Sequence, residues 1–207
     1  MQLYLSSYRL GNNPEDLVTY FTYTKKIAVI GNAMDYASGS LRQEKMTERS
    51  QALTARGLQP EEVDLREYFD NPQALKHRLN QFVGVWVRGG NTFILRRAMA
   101  QSGMDTYLES KVKDKSFIYG GDSAGICILG PSLHGLEFFD EPDVVPAGYE
   151  KEVIWDGLAI LDYLIVPHYK SEKNGGEMVD KTVEYLVRNN VAHKTLRDGE
   201  VIVGETN

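Results

Sequence analysis

Ser123 stands between two glycines, in Gly121-Asp122-Ser123-Ala124-Gly125, after the apolar run Ser116-Phe117-Ile118-Tyr119 and before Ile126-Cys127-Ile128-Leu129. A serine with glycine at minus two and plus two, between a strand and a helix, fits a nucleophile elbow, whose tight turn lifts the hydroxyl above a sheet only when its flanks carry no side chains. At the start of the following helix, the dipole and the Ala124 amide favour a developing oxyanion. The bland alternative is a Gly-rich turn in which Ser123 merely caps the helix.

Two further segments end an apolar strand on residues with chemistry. In Val85-Trp86-Val87-Arg88-Gly89-Gly90-Asn91-Thr92-Phe93 the glycines let a carbonyl approach the backbone, so the Gly90 amide is a candidate second oxyanion donor, while Asn91 or Thr92 reads first as a helix cap. In Tyr163-Leu164-Ile165-Val166-Pro167-His168-Tyr169 the strand runs into a histidine. Groups that act on ligands in open α/β sheets gather at the carboxyl ends of strands, where Gly90, Ser123 and His168 would all fall. His168 is therefore the general-base candidate, ahead of His134, His193 and His77. Arg88, Asn91 and Tyr169, beside these strand ends, are the candidates for contacting substrate.

The acid is less legible. Asp198 lies in Leu196-Arg197-Asp198-Gly199-Glu200, and Asp-Gly between short apolar runs is first of all a hairpin turn. Asp140, Asp143 and Asp156 lie between the serine and the histidine, where an α/β-hydrolase places its acid, so chain order leaves both arrangements open.

These residues need a sheet to hold them. Short runs rich in Val, Ile and Tyr predict strands at residues 2–5, 26–30, 62–65, 82–87, 116–119, 163–166 and 201–203. Pro14 behind Asn13 and Pro72 behind Asn71 mark helix starts, and Gly57 and Gly103 mark helix ends. Helices are thus expected over residues 14–24, 40–56, 72–80, 91–102 and 177–189. The alternation implies a three-layer α/β fold, with helices on both faces of a mostly parallel sheet. Residues 131–157, with Pro131, Pro142 and Pro146, form the least regular stretch, and a loop of that length suggests a lid or pocket wall.

Composition narrows the partners. At 207 residues, with no linker or repeat, one domain over residues 1–207 is expected. A net charge of -6 with no basic cluster disfavours a nucleic-acid partner. The start lacks a basic, apolar leader, so neither export nor membrane insertion is expected, and a single cysteine, Cys127, suits a reducing cytoplasmic compartment. Cys127 reads as a small core residue. Phosphate-loop, dinucleotide and zinc spacings do not occur, so no cofactor or metal is expected. One core accounts for the apolar residues, which leaves the oligomeric state unread and a homodimer open.

Taken together, Arg88-Gly89-Gly90-Asn91-Thr92-Phe93, Gly121-Asp122-Ser123-Ala124-Gly125 and Val166-Pro167-His168-Tyr169 resemble the peptidase E (alpha-aspartyl dipeptidase) family of serine peptidases across nearly the whole chain. The resemblance implies a class I glutamine-amidotransferase-like, flavodoxin-type sheet. It makes Ser123 the nucleophile, His168 its base, and Gly90 with Ala124 the oxyanion donors. The family's acid follows the histidine in a short acid-glycine turn near the C-terminus, the place that Asp198 occupies. Two positions depart: the best-known members carry Glu where Asp198 stands, and Asp-specific members carry an arginine where the alignment puts Val179. Arg88, Lys170 or Lys173 would have to replace that arginine for an acidic substrate side chain to be held.

The expected function is hydrolysis of short peptides through an acyl-enzyme, without a cofactor. An esterase or amidase acting on a non-peptide acyl group is the nearest alternative, and a flavodoxin-like binding protein with a degenerate site is the more distant one.

Overall fold

The computed structural model describes residues 1–21, 25–173 and 176–206. A six-stranded sheet forms its centre, built from β1 (Gln2–Ser6), β2 (Lys26–Ile30), β3 (Gln59–Glu62), β4 (Gly84–Val87), β5 (Ile118–Asp122) and β8 (Val201–Glu205), in the order β3-β2-β4-β5-β1-β8. Five strands run parallel, and β8 joins β1 antiparallel at one edge. The inner strands β2 and β4 read as apolar runs rather than alternations because both faces are covered. Leu3, Leu5, Ala28, Ile30, Val85, Val87 and Tyr119 pack on one side, and Tyr4, Ile27, Val29 and Trp86 on the other.

Helices α1 (Glu15–Thr19), α2 (Gly39–Thr54), α3 (Pro72–Leu79), α4 (Thr92–Ser102), α5 (Met104–Lys111), α6 (Ala124–Cys127) and α7 (Gly176–Arg188) make the outer layers. Asn71 caps α3 with Pro72 at the first position, and Gly103 ends α4 in the left-handed conformation, as their sequence contexts predict. A second ribbon pairs β6 (Leu164–Val166) with β7 (His193–Thr195), also in parallel. Among the described residues, no helix is long and apolar enough to cross a membrane.

Several expectations need correction. The strand expected over 62–65 is instead Gln59–Glu62, and Leu65–Tyr68 forms a 3-10 turn. Pro60 and two glutamates conceal this strand, which tolerates them because it is the sheet's edge. The helix expected over 14–24 covers only Glu15–Thr19, and its last part, residues 22–24, lies outside the described residues. Asp198-Gly199 is not the turn of a hairpin: β7 pairs with β6 and β8 with β1, so the turn passes the chain between two sheets.

Candidate active site

Register aligns the carboxyl ends of the strands. Ser6 lies opposite Asp122, Val87 opposite Gly121, and Ile30 opposite Val87. The next residue of each strand, Ser7, Ser123, Arg88 and Gly31, therefore emerges at one rim, where open α/β sheets place their ligands.

Ser123 leaves β5 with φ 51° and ψ -118°, a conformation that costs about 1–3 kcal/mol for a residue with a side chain. Its surroundings enforce it. A Cβ on Gly125 would sit 2.1 Å from the Val87 carbonyl oxygen, so only glycine lets α6 start this close to β4.

A chain of hydrogen bonds starts at the hydroxyl. Ser123 Oγ lies 3.0 Å from His168 Nε2, and His168 Nδ1 lies 2.6 Å from Asp198 Oδ1. The other carboxylate oxygen, Asp198 Oδ2, accepts from Ser171 Oγ at 2.6 Å. The imidazole is largely enclosed, with 14% of its side chain exposed, and the Tyr8 ring meets it edge-on at 5.9 Å. With a carboxylate on one ring nitrogen and a hydroxyl on the other, the imidazole has the arrangement required to take a proton from the serine.

The ribbon that carries His168 is fastened to the main sheet by Ser7, which the sequence reading missed. The His168 amide donates to Ser7 Oγ at 2.9 Å, and the Ser7 hydroxyl donates to the Leu196 carbonyl at 3.2 Å. Its position just after an apolar strand, at the same rim as Ser123, was the available signal.

Gly90 adopts φ 155°, and a Cβ there would strike the Ala33 carbonyl oxygen at 2.3 Å. The Asn91 side chain caps α4 through the Ile94 amide at 2.9 Å and donates to the Glu141 carbonyl at 2.8 Å. Asp140 accepts from the Thr92 amide and hydroxyl at 2.9 and 2.6 Å. Burial pushes its carboxyl up to about 6, against the pull of those Thr92 bonds. These contacts hold the irregular loop against the start of α4 and wall a cavity of about 330 Å³ lined by Tyr36, Gly90, Asn91, Phe139, Asp140 and Val144.

A second cavity, of about 510 Å³, is lined by Tyr8, Lys45, Glu48, Arg49, Arg88 and Asp122. Arg88 Nη1 donates to the Gly89 carbonyl at 2.8 Å, and burial lowers the guanidinium's pKa.

The other expected candidates lie elsewhere. His134 stacks on Trp155 at 4.4 Å, His193 Nδ1 sits 2.8 Å from the Val191 carbonyl oxygen, and His77 belongs to α3. Cys127 is fully buried, which pushes its thiol well above the usual range and removes it as a nucleophile at neutral pH. Val179 packs into a small core with Phe93, Val166 and Leu186, and Tyr169 packs against that core with Lys170 over its ring at 5.2 Å. Lys170 and Lys173 are exposed.

Residues 17–206 match the model of peptidase family S51. The chain belongs to that family. Peptidase E of Streptomyces coelicolor is 30% identical over 142 residues, covering 66% of this chain and 54% of that protein. A probable alpha-aspartyl dipeptidase of Drosophila melanogaster is 31% identical over 122 residues, covering 57% of this chain and 46% of that one. The S51 chain thus aligns with about half the length of these curated relatives. A crystal structure from Listeria monocytogenes EGD-e, of a protein provisionally named peptidase E, superposes with a TM-score of 0.73 at 21% identity, covering 100% of this chain and 98% of that chain. That likeness establishes the S51 chain's fold as the peptidase E fold, a mostly parallel sheet layered with helices.

Proposed function

We propose that this S51 chain is a serine hydrolase of short peptides, working as one domain through an acyl-enzyme. The observation that carries the reading is the unbroken relay from Asp198 through His168 to Ser123, at 2.6 and 3.0 Å. Asp198 accepts a hydrogen bond from Nδ1–H and fixes the tautomer, which leaves Nε2 free to take the Ser123 proton as Oγ attacks the carbonyl. The Gly90 and Ala124 amides are the proposed oxyanion donors, working where charge develops. His168 then passes its proton to the departing amine, and a water activated by the same imidazole releases the acyl group.

On this reading the strained turn at Ser123 is a nucleophile elbow on a glutamine-amidotransferase-like, flavodoxin-type sheet, and its φ of 51° supports that assignment. Asp198, though about one methylene shorter than glutamate, closes on the imidazole with Ser171 behind it. Gly90 and Asn91 line the cavity proposed for the acyl residue, and Arg88 contributes to the opposite one. Val179, sunk in the small core, offers no charge to an aspartyl side chain, which argues against Asp-X selectivity by that route.

The test is hydrolysis of a dipeptide panel, with acyl esters alongside, by the purified protein. Peptide turnover reduced at least about a thousandfold in Ser123→Ala is the expected result. Turnover retained by Ser123→Ala, or turnover of esters with none of peptides, refutes the proposal.

A further inference from the structure

Four cations, Arg9, Lys45, Arg49 and Arg88, line the 510 Å³ cavity with only two carboxylates, Glu48 and Asp122. The pairing leaves one cation over. Arg49 binds Asp122 at 3.0 Å, and Arg9 and Lys45 bind Glu48 at 3.4 and 3.2 Å. Among the described residues no carboxylate pairs with Arg88, whose Nε is buried without an acceptor. The same holds for Nε of Arg49, whose side chain is only 7% exposed. A guanidinium that lines a cavity with no carboxylate paired to it is a site for a planar anion, which the fork of donors binds in pairs.

The cavity's position indicates which anion. Tyr8, which lines it, packs against the imidazole that must hand its proton to the departing amine. Arg88 enters beside the serine, since a Cβ on the adjoining Gly89 would lie 2.7 Å from Ser123 Cβ. On the proposed chemistry the leaving residue therefore lies on this side of the scissile bond, and the cavity lined by Gly90 is left for the acyl side.

We infer that Arg88, backed by Arg49, binds the free α-carboxylate of the leaving residue. The inference rests on the serine-peptidase reading above. It makes Arg88 a specificity-determining residue: a substrate whose leaving residue ends in an amide places a neutral group against an unpaired cation.

The experiment compares kcat/KM for Xaa-Leu dipeptides, their Xaa-Leu amides, and Xaa-Glu amides, which carry a carboxylate only on the side chain. The expected result is a preference of at least about 30-fold for the free acids over both amides. In Arg88→Met that preference collapses to within about threefold, through KM, and Arg88→Lys retains part of it. Equal rates on acids and amides by the wild-type protein overturn the inference, as does restoration of the rate by the Xaa-Glu side chain. So does a preference that survives Arg88→Met, or a failure to hydrolyse free-acid dipeptides at all. Fluorophosphonate labelling of wild-type Ser123 separates the two claims: a labelled serine with no acid preference sinks the carboxylate site alone, and an unlabelled one sinks the peptidase reading beneath it.

Discussion

Ser7 Oγ accepts the backbone amide of His168 at 2.9 Å across 161 residues of sequence, and this bond fastens the β6–β7 ribbon to the rim of the main sheet. Ser7 is fully buried, and its hydroxyl hydrogen goes to Leu196, two residues before Asp198. One hydroxyl thus positions both the imidazole and the turn that bears its carboxylate.

Ser7→Ala should therefore lower kcat about tenfold with little change in KM, the cost of roughly one buried hydrogen bond expressed in the placement of His168. Steady-state kinetics beside thermal melting checks this. A lower melting temperature with kcat intact would reduce Ser7 to a packing role.

Asp198→Asn should lower kcat by about 10³- to 10⁴-fold, the magnitude that accompanies a wrong imidazole tautomer in the Ser-His-Asp template. Asp140→Asn and Asp143→Asn should cost less than about tenfold, because Asp140 bonds Thr92 and neither contacts His168. The reverse order in side-by-side kinetics would favour an α/β-hydrolase arrangement.

Asp140 also predicts a pH signature in stability. Its carboxyl is raised by burial from 3.8 to about 6, so its stabilising contribution is complete below about pH 3.8 and is lost as pH rises through about 6. Relative to wild type, Asp140→Asn should gain about 2 kcal/mol between pH 4 and pH 6.5, whatever its constant offset. Denaturant unfolding of both proteins across that range measures the difference, and a flat difference contradicts the prediction.

Gly125→Ala should destabilise the fold by about 2–4 kcal/mol, because its Cβ would be driven to 2.1 Å from the Val87 carbonyl oxygen. The relaxation would also tilt α6 and move Ser123. Unfolding measurements together with the rate of serine labelling would show both effects. A variant as stable and as reactive as wild type would mean that the turn does not need its glycine.

The sequence carried the candidate site better than its supports. Ser123 was legible because its strained turn demands glycines at minus two and plus two, and His168 because an apolar strand delivers it to a rim. Asp198 was not legible from local pattern: Asp-Gly between short strands looks like a hairpin, and only the family resemblance placed it after the histidine. Ser7 had only its place after an apolar strand to mark it, and Ser171 had no local mark, because both act through bonds to residues distant in sequence. Among the elements, β3 was hidden by Pro60 at an edge where proline is tolerated, and α5 by Gly103, which divides a continuous helical pattern into two helices. The polar β7, His193-Lys194-Thr195, has no apolar alternation to read, and none of its three residues is fully buried.

The most direct test of the central claim is covalent labelling of the purified protein with a fluorophosphonate, read by intact mass and peptide mapping. A single adduct on Ser123, absent from Ser123→Ala and slowed in Asp198→Asn, is the predicted result. No adduct, or an adduct that persists at equal yield in Ser123→Ala, would contradict it.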